Sequence, residues 1–154
     1  MNYWLVKTEP STFGIDHLEA APRKTTGWDG VRNYQARNFI RDQMAKADEA
    51  FLYHSSCAIP AIVAIVTIVK GPYPDPSAFE RRDPHYDPDS DASAPRWFSV
   101  DIKLKRRLKR VITLEELKQH ARTELAGMIL LRSGNRLSVT PVEANHWRFI
   151  LSLE

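Results

Sequence analysis

The sequence holds a single cysteine, Cys57, among its 154 residues, so no internal disulfide can form and the chain suits a reducing compartment. It also lacks a membrane segment. The longest apolar run, Ala58 to Val69, is interrupted by Pro60 and falls short of the roughly 20 residues that a spanning helix needs. Charge of neither sign dominates: a net charge of +3 and a pI near 9.1 permit a polyanionic partner without demanding one. The five histidines have no ligand-like spacing, and neither a glycine-rich phosphate loop nor a framed acid pair is present. These absences favour a binding module over an enzyme, with no metal and no cofactor. Met1-Asn2-Tyr3-Trp4 leads directly into a strand pattern without a basic n-region, so no secretory signal is expected; the expected location is a bacterial cytoplasm, or the nucleus in a eukaryote.

What is present centres on Thr25 to Phe39. Gly27 and Gly30 bracket Trp28 on a tight turn, and a helical pattern opens at Asn33 with Tyr34, Gln35 and Arg37 in its first turns. An aromatic ring on such a loop can offer a flat face to a ligand, with Asn, Gln and Arg beside it as directional donors and acceptors. A core Trp beside a helix N-cap fits the same residues, since Asn is a favoured cap.

At this length the chain is expected to fold as one domain, 1–154, with a core of its own. Tyr3 to Lys7 reads as a first strand, and Lys7, Thr8 and Glu9 fall where it hands over to a loop, a usual place for binding groups. A short helix is expected over Ile15 to Ala20. In the helix from Asn33, Ala36, Phe39, Ile40 and Met44 share the apolar face, while Arg37 and Arg41 stand on the wet face, available to phosphates or to solvent. Ala50 to Ser56 reads as a second strand. Ala61 to Lys70 reads as a third, apolar enough for burial on both faces. Strand alternation sets His54 and Cys57 on opposite faces, so they make a poor base and nucleophile; Tyr53, His54 or Ser55 lining a pocket is the better reading.

Gly71 to Pro95 carries six prolines and reads as a long loop. Its Asp87, Asp89 and Asp91 have the spacing that opens a calcium loop, but Ala92 replaces the required Gly and Phe98 the bidentate Glu, which excludes that site. Trp97 to Lys105 alternates as a strand with Phe98, Val100, Ile102 and Leu104 inward. Six of the eight residues from Lys103 to Arg110 are basic, making Lys103, Lys105, Arg106 and Arg107 either phosphate contacts or a solvated edge. Capping boxes at Thr113 to Glu116 and Thr140 to Glu143 predict two more helices, through about His120 and Leu151, with a short strand before the second; Arg136 lies in the turn leading to it.

Several separate stretches, Tyr3 to Pro10, Trp28 to Phe39, Tyr53 to Cys57, Pro95 to Phe98 and Arg132 to Val142, together resemble the EVE domain family over nearly the full chain. The resemblance implies an α+β, PUA-like fold, a curved mixed sheet forming a small β-barrel surrounded by helices, related to the YTH readers of methylated adenine. It implies a non-catalytic partner of DNA or RNA that reads a modified base, methylated or hydroxymethylated cytosine or methylated adenine, flipped into an aromatic pocket. By that analogy Trp28 stacks on the base, Asn33 or the backbone beside Trp28 reads its edge, and Trp97 forms a second wall. Lys7, Thr8, Tyr34, Tyr53, His54, Ser55 and Arg136 would line or support the pocket, and Arg37, Arg41 and the basic run would contact the backbone. The alternatives are a PUA-type module that recognises structured RNA through Lys103 to Arg110, and a nucleotide-processing enzyme.

Overall fold

In a computed structural model, which describes residues 1–154, Tyr3–Thr8 forms strand β1 at the centre of the fold. It pairs in parallel with β3 (Glu49–His54) and antiparallel with β6 (Val139–Val142). Two long strands, β4 (Ala61–Pro74) and β5 (Phe98–Thr113), extend the sheet antiparallel beyond β3, and β2 (Thr25–Gly27) closes its far side against Asp101–Lys103. The order β2-β5-β4-β3-β1-β6 makes a six-stranded mixed sheet, as expected. Its two edges do not pair, so the sheet curves without closing into a barrel. Register shifts between Ile62 and Ala64 and between Ile65 and Val66 accompany that bend, since an extra residue on one strand locally increases twist.

Both faces are covered. Trp4, Val6, Leu52, Val66 and Ile102 pack on one side against α1 (Ile15–Ala20) and α2 (Tyr34–Asp42). Leu5, Phe51, Ile65 and Ile112 face the other way, onto α3 (Leu114–Lys118) and α4 (Ala144–Leu153). The near-continuous apolar run of β4, interrupted only by Thr67 between Ala61 and Val69, follows from serving two cores at once, each buried Ile or Val contributing about 1.5–3 kcal/mol. On the second face Trp147 stacks between Phe51 and Tyr3, at 3.9 and 4.4 Å between ring centres, and fixes α4 to the sheet.

Three sequence expectations need correction. Thr140 to Glu143 is no capping box: Val139–Val142 is β6, paired with β1, and α4 starts one residue after Glu143, which makes no side-chain cap. Pro141 is tolerated because β6 is an edge strand with an unused side. The strand expected to stop at Lys70 continues to Pro74, with Tyr73 opposite Ser99, and Gly71 at φ +113° supplies the left-handed step within it. The strand expected over Trp97 to Lys105 runs on to Thr113, whose hydroxyl then caps α3 by accepting from the Glu116 amide. β2 was not foreseen as a strand at all.

Candidate nucleic-acid interface

The ends of β1 and β2 and the start of α2 meet at a cleft of about 720 Å3. That volume lies in the range of ligand pockets, which run from about 300 to 1,000 Å3. The Trp28 amide donates to the Val100 carbonyl at 2.7 Å, continuing the β2–β5 ladder by one residue and fixing the ring position. Trp28 is only 8% exposed, so it serves as core on one side and as cleft wall on the other. Phe13 stands edge-on to it at 6.4 Å and also lines the cleft. Around this apolar wall stand Lys7, Thr8, Asp29, Asn33, His85 and Ser138.

The loop after Trp28 is held by a buried carboxylate. Asp75 has no solvent exposure and accepts through Oδ2 from the Gly30 amide and Arg32 Nη1, both at 2.9 Å. Its Oδ1 accepts from the Ser77 amide and hydroxyl. Arg32 reaches further, donating to Ser77 Oγ and through Nε and Nη2 to the His85 carbonyl, which brings the long loop down beside the cleft. The approach is close enough to require glycine: Gly30 has φ +78°, and a Cβ there would stand 2.6 Å from the His85 ring. The loop's other aspartates hold turns, Asp83, Asp87 and Asp91 each accepting from the amide two residues on.

Electrostatics differ across the site. Burial pushes the Lys7 ammonium down. Partial burial, and then the nearby Asp75 carboxylate, push Asp29 up. Asp75 itself is lowered: burial opposes ionisation, but the donors from Ser77, Arg32 and Gly30 outweigh it.

Of the residues named from sequence, Lys7, Thr8, Trp28 and Asn33 line the cleft together. Asn33 is also the N-cap of α2, its Oδ1 accepting from the Ala36 amide, which leaves Nδ2 as its free donor. The others lie elsewhere. Tyr53 belongs to the opposite core, because strand alternation in β3 turns it with Phe51 away from Leu52. His54 accepts from the Ile15 amide through Nε2 and Ser55 donates its amide to the Thr8 carbonyl, so both brace the strand end from behind. Arg136 is exposed and outside the cleft. Trp97 lines a second, shallower cleft; its Nε1 donates to Asp87, it stacks on the exposed Tyr34 at 4.8 Å, and Arg32 covers its ring at 5.2 Å. Trp97 therefore supports Arg32 and α2, and the second aromatic at Trp28 is Phe13. Phe13, Asp29, Asp75 and His85 were not singled out from sequence. Asp29 lay inside the singled-out stretch, whereas the other three join the site only through tertiary contacts.

The basic run is largely neutralised. Lys105 pairs with Glu49 at 3.0 Å, Arg106 with Glu154, Arg107 with Asp16 and Glu19, and Arg110 with Glu116. Arg37 donates to the Arg96 carbonyl and Arg41 pairs with Asp42; Lys103 is exposed and has no acidic partner. Apart from Arg106–Glu154, whose carboxylate side chain is nearly buried and also accepts from the Lys109 amide, these pairs are exposed and stabilise little. Arg107→Gln is accordingly expected to change stability by less than about 1 kcal/mol. It should also leave the salt dependence of any polyanion binding unaltered, where loss of a real phosphate contact would lower the log–log slope by about 0.9. Denaturant unfolding checks the first, and a salt titration of binding, variant beside wild type, the second.

The sequence matches the EVE domain over residues 2–153. The chain belongs to the EVE domain family. Rat thymocyte nuclear protein 1 is 47% identical over 99% of this chain and 74% of its own length. The crystal structure of human THYN1 in complex with 5-methylcytosine-containing DNA superposes with a TM-score of 0.94 at 43% identity, covering 99% of this chain and 97% of that one. A Pseudomonas syringae protein is similar at TM-score 0.90 and 44% identity over 98% of both chains. The PUA-like architecture of this EVE domain is thus shared with relatives from bacteria and vertebrates. No helix is long and apolar enough to cross a membrane.

Proposed function

We propose that this EVE domain is a non-catalytic reader of DNA carrying a modified base, 5-methylcytosine first, and that the Trp28 cleft receives the base after it leaves the helix. The observation that carries this reading is the cleft itself: an aromatic wall of Trp28 and Phe13 beside the polar groups of Lys7, Asp29 and Asn33, in a chain 43% identical to a protein crystallised with 5-methylcytosine DNA. Stacking on an aromatic contributes about 1–3 kcal/mol per base, and extrusion costs a few kcal/mol. The balance comes from polar contacts at the base edge and along the backbone. One methyl group against the apolar wall adds about 1–3 kcal/mol of preference, so discrimination between methylated and plain cytosine is modest.

The test measures affinity for duplexes with cytosine or 5-methylcytosine at one position, paired either with guanine or with an abasic site. A pocket reader binds the abasic-paired duplex more tightly, by at least about tenfold, because no base pair has to be broken, and it retains the methyl preference there. Equal affinity for all four duplexes would refute base extrusion.

A further inference from the structure

Two imidazoles hold the segment that carries Phe13. The Gly14 amide donates to His17 Nδ1 at 2.9 Å, and the next amide, of Ile15, donates to His54 Nε2 at 3.1 Å. Gly14 is the N-cap of α1 and Ile15 its first residue, so these amides have no helical carbonyl to meet. His17 reaches back from within the helix as the Glu or Gln of a capping box would. His54 arrives from the end of β3, and the approach is close: a Cβ on Gly14 would stand 3.3 Å from its Nε2. Gly14 and Ile15 are both buried, so water cannot readily replace either imidazole. Phe13, the residue before them, stacks on the His17 ring at 5.6 Å and stands edge-on to Trp28 at 6.4 Å. The aromatic wall of the cleft is thus anchored by two side chains that do not themselves line it.

Both anchors depend on a nitrogen without a proton. A neutral imidazole accepts from an amide N–H, whereas in imidazolium both nitrogens are donors and N–H would face N–H. We propose that His17 and His54 are positioning residues of the Trp28 cleft, neutral acceptors that fix Gly14 and Ile15 and thereby Phe13, so that acid loosens the aromatic wall and weakens base binding. The inference rests on the base-reading function above and adds control by pH to it. The charged groups facing the rings are Asp16 of α1 and Arg107 of β5, which pair with each other at 2.7 Å, together with Glu19, a second partner of Arg107. Burial pushes the His54 imidazolium down, Asp16 opposes that shift and Arg107 adds to it, so His54 gains its proton below the ordinary value of about 6.5. The folded protein therefore takes up this proton less readily than the unfolded chain. The anchor's contribution is whole above about pH 6.5 and declines as pH falls below it. Acid otherwise favours DNA, because each protonated histidine adds attraction for phosphate. A loss of base binding in acid separates the two effects.

The experiment compares about pH 7.5 with about pH 5, a range that spans histidine titration. In the double variant His17→Asn, His54→Gln, amide oxygens take the places of Nδ1 and Nε2 and accept at both pH values. Wild-type affinity for 5-methylcytosine opposite an abasic site is expected to fall at least about fivefold in acid, and that of the double variant by less than about twofold. Wild-type affinity that holds or rises in acid would overturn the proposal. So would an equal fall in the double variant, which would assign the effect to another group, such as His85 in the cleft. A second readout needs no ligand: in the free wild type, the Gly14 and Ile15 amide resonances should move with the titration of the two imidazoles. Amides that stay fixed while the rings titrate would overturn the anchoring. Trp28→Ala separates the two levels. If it binds like the wild type at the higher pH, base reading fails and the amide titration decides the role of the histidines. If it weakens binding while the wild type is indifferent to pH, only the histidine inference fails.

Discussion

Asp75→Ala is expected to destabilise the fold by about 3–5 kcal/mol, the range for breaking a buried, hydrogen-bonded charge pair. The carboxylate is completely buried and satisfies four donors, from the Gly30 amide, Arg32 and the amide and hydroxyl of Ser77. Removing it leaves those donors unpaired at a place where water has little access. The Arg32 side chain, 23% exposed, can recover some hydration, which sets the loss toward the lower end. The loss is not confined to stability. Gly30 and Arg32 are what Asp75 holds, and they continue directly from Trp28 and Asp29, so the cleft loses its shape and base binding should fall in parallel. The pH dependence has a definite sign: the folded-state pKa of Asp75 is depressed, so its contribution is complete above the unfolded value near 3.9 and disappears as pH falls through the folded pKa. Denaturant unfolding at pH 7 and below pH 4 should show a large gap between wild type and variant at the first pH and a smaller one at the second. A gap that stays constant would contradict the ionised, donor-saturated Asp75 described here.

The second large effect is on binding. Trp28→Ala should weaken affinity for a methylated duplex by about 5- to 150-fold, the equivalent of one lost base–aromatic stack of about 1–3 kcal/mol. Because Trp28 is also core, 8% exposed and packed with Phe13 and Val31, the alanine variant loses stability as well, and Trp28→Phe is the informative companion. Phenylalanine keeps a ring on the wall, so it should retain most of the affinity. If both variants lose affinity only in proportion to the fraction unfolded, Trp28 is a packing residue and nothing more.

Much of the fold is written locally. The aromatic and β-branched run of β1, the period-two alternation of β5, the apolar run of β4 and the Asn33 and Thr113 caps each depend on neighbours a few residues apart, and each appears in the structure. β2 was missed because Thr25–Gly27 is too short to show a period, and it becomes a strand only by pairing with Asp101–Lys103. Thr140 to Glu143 misled because a Thr three residues before a Glu satisfies the capping pattern, while pairing with β1 decides the outcome. The site divides in the same way. Lys7, Thr8, Trp28 and Asn33 were readable because they occupy strand and helix ends. Asp75 and His85 were not, since nothing local says that the 71–95 segment folds back onto Gly30 through Arg32, 43 residues distant from Asp75 in sequence. The basic run looked like a phosphate surface for a related reason: its acidic partners Asp16, Glu19, Glu49 and Glu154 come from α1, β3 and the chain end. Composition counts charges, and only the fold shows which are already spent.

The most direct test of the central claim is a titration of wild type and Trp28→Ala against one duplex with and without a single 5-methylcytosine, at two salt concentrations. The expected result is a methyl preference in the wild type that persists at the higher salt, since it comes from the cleft wall and not from phosphates, and that is lost in the variant while weak, salt-sensitive binding remains. Identical methyl preference in the two proteins, or wild-type binding indifferent to the methyl group at both salts, would contradict it.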